Sequence, residues 1–231
     1  MRRGIVLRGL SLLVRNPPGL VRASWRRGFR IITDFPEDIR HGIHTGLLRP
    51  KFGDEAKEIH VYEPAPYATL RDVRRHMLSS GTLARTFIDV GTGWGRPLYY
   101  FSDLFDELQG FEINPIIFQS SKDQLERIQS AKGRTAYKRI AIRLMDATLE
   151  TPLDRDLVLF LYNPFGPTQM RALCNRLKRS RGHQTIYYVN PVYAQVIEQE
   201  LGVAGTVFSK FMKVNHYFIP ARTDDGAGGK S

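Results

Sequence analysis

In the stretch TFIDVGTGWGRPLYY, Thr86 to Tyr100, an aspartate, Asp89, is followed by glycines at alternate positions, Gly91, Gly93 and Gly95. Glycine costs backbone entropy and brings no side chain to pack. Three of them in five residues imply that the backbone itself must come close to something. The run TFIDV reads as a buried strand, and RPLYYFSDLF reads as a helix with Pro97 in its first turn, where a missing N–H costs nothing. A loop of this kind offers bare amides to a ligand at a helix N-terminus beyond the end of a parallel strand. Close packing of the helix on the strand would ask for the same residues. A second element points to a ligand: Glu112 ends LQGFE, about twenty residues past the loop, where a carboxylate accepts two hydrogen bonds from ribose hydroxyls. The alternative for Glu112 is an ion pair with one of the many arginines.

The elements that must position these residues alternate between strand and helix. YEPAPYATLRDVRRHMLSSG carries Leu70, Val73 and Met77 at helical spacing and Gly81 just past its end. Asn114-Pro115 and Asn190-Pro191 each follow a strand and each read as an N-cap and first residue of a helix. RIAIRLMD alternates Ile140, Ile142 and Leu144, while LVLFLYNPF is apolar nearly throughout, as a strand covered on both faces requires. Met170, Leu173, Cys174 and Leu177 form a core-facing helical stripe, and TIYYV is a further strand. TVFSKFM and VNHYFIP are close enough to pair as a hairpin. The pattern predicts an α/β fold, a doubly wound and mostly parallel sheet of seven strands with an antiparallel C-terminal hairpin. The expected organisation is a basic arm over 1–33, an entry segment with a helix over 34–82, a ligand-binding core over 83–221 and a polar, Gly-rich tail over 222–231.

Composition narrows the partners. The chain of 231 residues has a formal charge of +11 and 42% hydrophobic content. Eight of its 34 basic residues lie in residues 1–30, which hold no acid, so the remainder is only mildly basic. Specific nucleic-acid binding by the body is not supported by that charge. The arm is too short and too charged to span a bilayer. It reads as an anchor on an anionic membrane surface, as a transit peptide, or as a helix whose leucines pack on the body. Cys174 is the single cysteine, so no internal disulfide exists, and a cytoplasmic location, peripheral on the membrane if the arm anchors, is expected. His41 and His44 have no cysteine or acidic cluster at ligand spacing, so no metal is expected.

The series FIDVGTGWG, GFEIN, LMDAT and LYNPF resembles, in order and spacing over about residues 84–220, the motifs of class I S-adenosylmethionine (SAM)-dependent methyltransferases. The resemblance implies SAM as cofactor and methyl transfer to an unidentified acceptor. It places Asp89, Gly91, Gly93 and Gly95 at the methionine part of SAM, Glu112 at its ribose, and Asp146 with Ala147 at its adenine, although Asp146 could instead cap a turn. The segments DFPEDIRHGIHTG and YEPAPY are similar to the entry or lid region of a bacterial group in this superfamily, which implies that Gly42, Thr45 and Tyr62 or Tyr67 lie near the cofactor. Asn163 and Phe165 then take the catalytic place, the asparagine accepting a hydrogen bond from an acceptor N–H and the ring forming a wall. Amino-group methyltransferases carry Asn-Pro-Pro and an aromatic there; here one proline is absent. Asn163 or Gly166 could alternatively cap the helix that opens at Pro167. The rival readings are an NAD(P)-binding oxidoreductase, disfavoured by the glycine spacing, and a SAM-binding regulator or scaffold without catalysis.

Overall fold

The computed structural model describes residues 34–45, 63–81, 84–131, 135–209 and 211–222. The basic arm, Tyr62 and the tail from residue 223 on lie outside these residues. Residues 34–41 are helical (α1), followed by α2 (Tyr67–Ser80), β1 (Thr86–Val90), α3 (Arg96–Tyr100), β2 (Glu107–Glu112) and α4 (Pro115–Ser130). A 3-10 turn, Thr135–Arg139, leads into β3 (Ile140–Leu144), α5 (Ala147–Glu150), β4 (Leu157–Tyr162), α6 (Pro167–Leu177), β5 (Gln184–Val189), α7 (Ala194–Leu201), β6 (Thr206–Phe208) and β7 (Val214–Ile219).

The strands form a seven-stranded sheet in the order β3-β2-β1-β4-β5-β7-β6. The first five are mutually parallel, and β7 is antiparallel to both β5 and β6. Strand order reverses at β1, so the C-terminal ends of β1, β2 and β4 border the crevice where a doubly wound sheet takes its ligand. The apolar runs work as two-faced strands. Phe87, Val158, Phe160 and Tyr187 pack into one core with Leu70, Val73 and Leu125 of α2 and α4. Ile88, Leu159, Leu161 and Ile186 pack into the other with Met170, Leu173 and Leu177 of α6. Cys174 lies in this second core, 1% exposed, where burial pushes its thiol up to about 12.

Capping follows the sequence at some ends and departs from it at others. Asn114 Oδ1 accepts from the amides of Ile116 and Ile117, with Pro115 behind it, and Gly81 and Gly202 close α2 and α7 in the left-handed conformation. Asn190, however, is no N-cap. Its φ is 49°, and α7 begins four residues later at Ala194. Asn163 is no cap either: Gly166 holds that place for α6, without a side-chain bond. α3 is a single short turn rather than the ten-residue helix expected, and Leu144 is exposed because β3 is an edge strand with its last residues beyond the core.

Candidate active site

At the switch point the loop after β1 folds back onto β2. The amides of Gly91 and Thr92 both donate to Phe111 O, at 2.9 and 3.0 Å, and Gly95 N donates to Thr92 O at 2.8 Å. All three loop glycines have positive φ, between 55° and 76°, backbone that a side chain opposes. At Gly91 a Cβ would fall 2.8 Å from Pro164 Cβ, so the glycine lets the loop lie directly against the turn after β4. At Gly95 a Cβ would meet Leu98, Tyr99 and Ile142. For Gly95, therefore, the packing reason holds, and it does not border the cavity.

Two carboxylates stand at the ends of the first two strands. Asp89 is 3% exposed, and Thr92 Oγ1 donates to its Oδ2 at 2.8 Å. Burial, opposed by that hydroxyl and helped by the nearby Glu112 charge, pushes Asp89 from 3.8 up to about 7. Glu112 accepts from Asn114 N through Oε1 at 2.8 Å and from Gly93 N through Oε2 at 3.0 Å. Burial raises its pKa, and those amides oppose the rise. Among the described residues, Glu112 forms no ion pair with an arginine. Asp146 caps α5, its Oδ1 accepting from Thr148 N and Thr148 Oγ1 at 2.8 and 2.7 Å.

A cavity of about 660 Å³ opens over these ends. Of the residues singled out in the sequence, Asp89, Gly91, Glu112, Asp146, Ala147, Asn163 and Phe165 line it. Gly93, Gly95, Thr45 and Tyr67 do not. Gly93 is tied to the site through Glu112. Thr45 and Tyr67 belong to a buried cluster beside it: Asp38 accepts from Thr45 Oγ1 at 2.8 Å and from Tyr67 Oη at 2.8 Å. At the centre of that cluster is Arg96, 1% exposed and a lining residue of the cavity. Its guanidinium donates to Asp34 Oδ2 (2.7 Å), Asp38 Oδ2 (3.1 Å), Thr45 Oγ1 (2.7 Å) and Ala65 O (3.0 Å), and lies 4.6 Å from the centre of the Tyr67 ring. Burial beside two carboxylates pushes the Tyr67 hydroxyl far up.

The sequence reading missed Arg96, whose one signal is a cation in the first turn of a helix, where the macrodipole disfavours it. It also missed Tyr188 of β5, whose hydroxyl donates to Asn163 Oδ1 at 3.3 Å, and Asn190, which lines the cavity with Glu63 and Gln169. Among the described residues no group of three or more His, Cys, Asp or Glu is placed to hold a metal ion, and no helix is long and apolar enough to cross a membrane.

The fold agrees with that of solved structures. The methyltransferase domain of bacterial CtHen1-CN superposes with a TM-score of 0.51 at 13% identity, covering 66% of this chain and 98% of that one. The fold is that of the class I methyltransferases. PH0226 protein from Pyrococcus horikoshii OT3 has a TM-score of 0.50 at 10% identity, over 73% of this chain and 99% of that one. No protein-family model matches the sequence, and no curated protein matches it either.

Proposed function

We propose that the protein is a SAM-dependent methyltransferase acting on an acceptor whose reactive group is an amine. The observation that carries this reading is that one cavity is lined by Asp89, Gly91, Glu112 and Asp146 together with Asn163 and Phe165, on a class I methyltransferase fold. Its volume suits a cofactor with room for an acceptor group. The free valences also fit. Each Glu112 oxygen accepts one amide bond, and a carboxylate has about four acceptor sites, which leaves room for two ribose hydroxyls. Asp89 and Glu112 give the cavity the negative potential that a cationic ligand requires.

When bound, SAM supplies a methyl group made electrophilic by its sulfonium. The chain's own residues then have three tasks: to align the acceptor lone pair with that methyl, to keep bulk water from the line of attack, and to leave the acceptor proton a route out. Phe165 and Tyr162 supply apolar walls beside Asn163, and Glu63, exposed at the rim, is a carboxylate within the same lining that can take the proton toward solvent. Calorimetry with SAM and with NAD separates a methyltransferase from an oxidoreductase; tight NAD binding without SAM binding would overturn the proposal. Transfer of labelled methyl from SAM into fractions of a cell lysate, sorted into protein, nucleic acid, lipid and small molecules, tests catalysis, and SAM binding with no transfer into any fraction would favour a regulator.

A further inference from the structure

The polarity of α1 is reversed. Its carboxylates Asp34 and Asp38 are 7% and 3% exposed, and Arg96 donates to both. Phe35 and Ile39, four residues apart and so on one face, are 42% and 56% exposed. A surface helix ordinarily buries its apolar residues and shows its acids to water. Here Arg96 fixes the opposite arrangement, and because Arg96 lines the cavity, α1 presents its apolar face outward directly beside that cavity.

The border of the cavity carries further exposed aliphatic side chains. Ile113 lines it, and Ile116, Leu144, Leu149 and Val192 lie within two residues of the lining residues Ile117, Met145, Thr148 and Asn190; all five are more than half exposed. They come from different elements at the C-terminal edge of the sheet: the turn after β2 and the start of α4, the end of β3, α5, and the turn after β5. The opposite edge is built otherwise. Residues at the starts of β1 to β4 form solvated ion pairs, Arg85 and Arg139 with Asp106, and Arg155 with Asp154 and Glu107. Apolar exposure concentrated around a cavity marks an interaction face.

Charge selects what that face meets. Residues 1–30, which lead toward α1, hold eight arginines and no acid. Just ahead of the helix, Trp25, Phe29, Ile31 and Ile32 are interleaved with Arg26, Arg27 and Arg30. Aromatic and aliphatic side chains mixed with arginine suit the interface of an anionic bilayer. The exposed acids near the cavity, Glu63 and Glu150, are outnumbered by those arginines. An acidic protein also matches the arginines, but it must bring an apolar surface shaped to several separate turns, whereas a bilayer conforms to any of them.

We propose that α1 and the aliphatic border of the cavity form a docking face for an anionic lipid bilayer, which seats the mouth of the cavity on the membrane. Residues 1–30 supply the attraction to the headgroups, and Phe35, Ile39, Ile113 and Leu149 enter the interface. The arginines alone would give salt-sensitive binding with no preferred face; the apolar border gives the bound molecule an orientation. Docking needs no cofactor, so the proposal stands apart from the methyltransferase reading.

The test is sedimentation of the full chain with vesicles of phosphatidylcholine mixed with phosphatidylglycerol, and with vesicles of phosphatidylcholine alone. The mixed vesicles should bind more tightly. Phe35→Gln combined with Ile39→Gln should weaken that binding roughly tenfold, and Ile113→Gln combined with Leu149→Gln about three- to tenfold. Both factors should hold at low and at high salt, because lost apolar burial is not screened. Phe218→Gln, exposed at the opposite edge beside the start of β5, should leave binding unchanged. Glutamine variants that bind as the wild type does would leave only the arginines at work and overturn the docking face, as would a wild type that binds no vesicle. A second measurement does not depend on weakened variants. Cys174 is buried, so Ile39→Cys, Ile113→Cys, Leu149→Cys and Phe218→Cys each take one environment-sensitive fluorophore at the surface. Mixed vesicles should shift the emission to the blue at the first three positions and not at the fourth; a shift at none of them, or an equal shift at all, overturns the orientation. A chain that elutes as a dimer, becomes monomeric on Phe35→Gln with Ile39→Gln and ignores vesicles would assign the face to a second copy instead. Oriented vesicle binding by a chain that fails to bind SAM would sink the methyltransferase reading and leave the docking face standing.

Discussion

Asp89 is a carboxyl held where ionisation is opposed, and that fixes the sign of two effects. Its folded value of about 7 lies above its ordinary 3.8, so the folded chain binds the proton more tightly than the unfolded chain between those values. Stability contributed by this group therefore falls as pH rises through that window and is fully lost above about 7. Asp89→Asn should raise stability at pH 8 by roughly 1–3 kcal/mol, seen in urea denaturation, while weakening SAM. A cationic ligand has the reverse interest: it favours the ionised carboxylate, so SAM affinity should climb up to about tenfold per pH unit below pH 7 and level off above it. Calorimetry at several pH values, in buffers of different ionisation heat, would register the released proton; affinity that is flat with pH would remove Asp89 from the cofactor's charge. Glu112→Ala should cost about 1.5–3 kcal/mol of SAM binding, ten- to a hundredfold, and unchanged affinity in a folded variant would detach Glu112 from the ribose.

Among the elements, the join between α1 and the glycine loop hangs on Arg96. Its guanidinium bonds residues 34, 38, 45 and 65, which have no sequence proximity to it. Arg96→Met would leave Asp34 and Asp38 buried without their cation and should destabilise by about 3–5 kcal/mol; Arg96→Lys should recover little, since an ammonium cannot span the four acceptors. Chemical denaturation of both variants checks this, and a cost under about 1 kcal/mol would mean that the cluster is solvated in solution. The same example shows where sequence runs out. The strands of β1, β4 and β5 were legible because burial on both faces leaves an apolar run, and Asn114-Pro115 because capping is local. The dipeptide Asn190-Pro191 reads identically whether its asparagine caps a helix or turns left-handed, and Arg96 was invisible because every partner is a long-range one. Of the candidate site, the carboxylates at strand ends were readable from spacing, whereas the Tyr188 hydroxyl that orients Asn163 depends on register between strands.

For the whole molecule, the charge asymmetry makes a separate prediction about residues 1–30. If the arm is an electrostatic anchor, the full chain should sediment with vesicles containing anionic lipid, release as salt rises, and lose this on deletion of the arm while SAM affinity stays put. Absence of sedimentation by the intact chain would end the anchor idea, and failure of the deleted chain to fold would assign the arm to the core. Cys174 offers a way to follow all these variants before any acceptor is known. As the sole thiol in the sequence, buried and held protonated, it reacts with an alkylating reagent only when α6 opens away from the sheet. Each molecule therefore carries one clock, read as a single mass increment. A ligand that binds only the closed form slows that clock by a factor of about one plus the ratio of its concentration to its dissociation constant, so the rate tracks the unoccupied fraction. The rate of one alkylation thus ranks ligands for this cavity without a turnover assay.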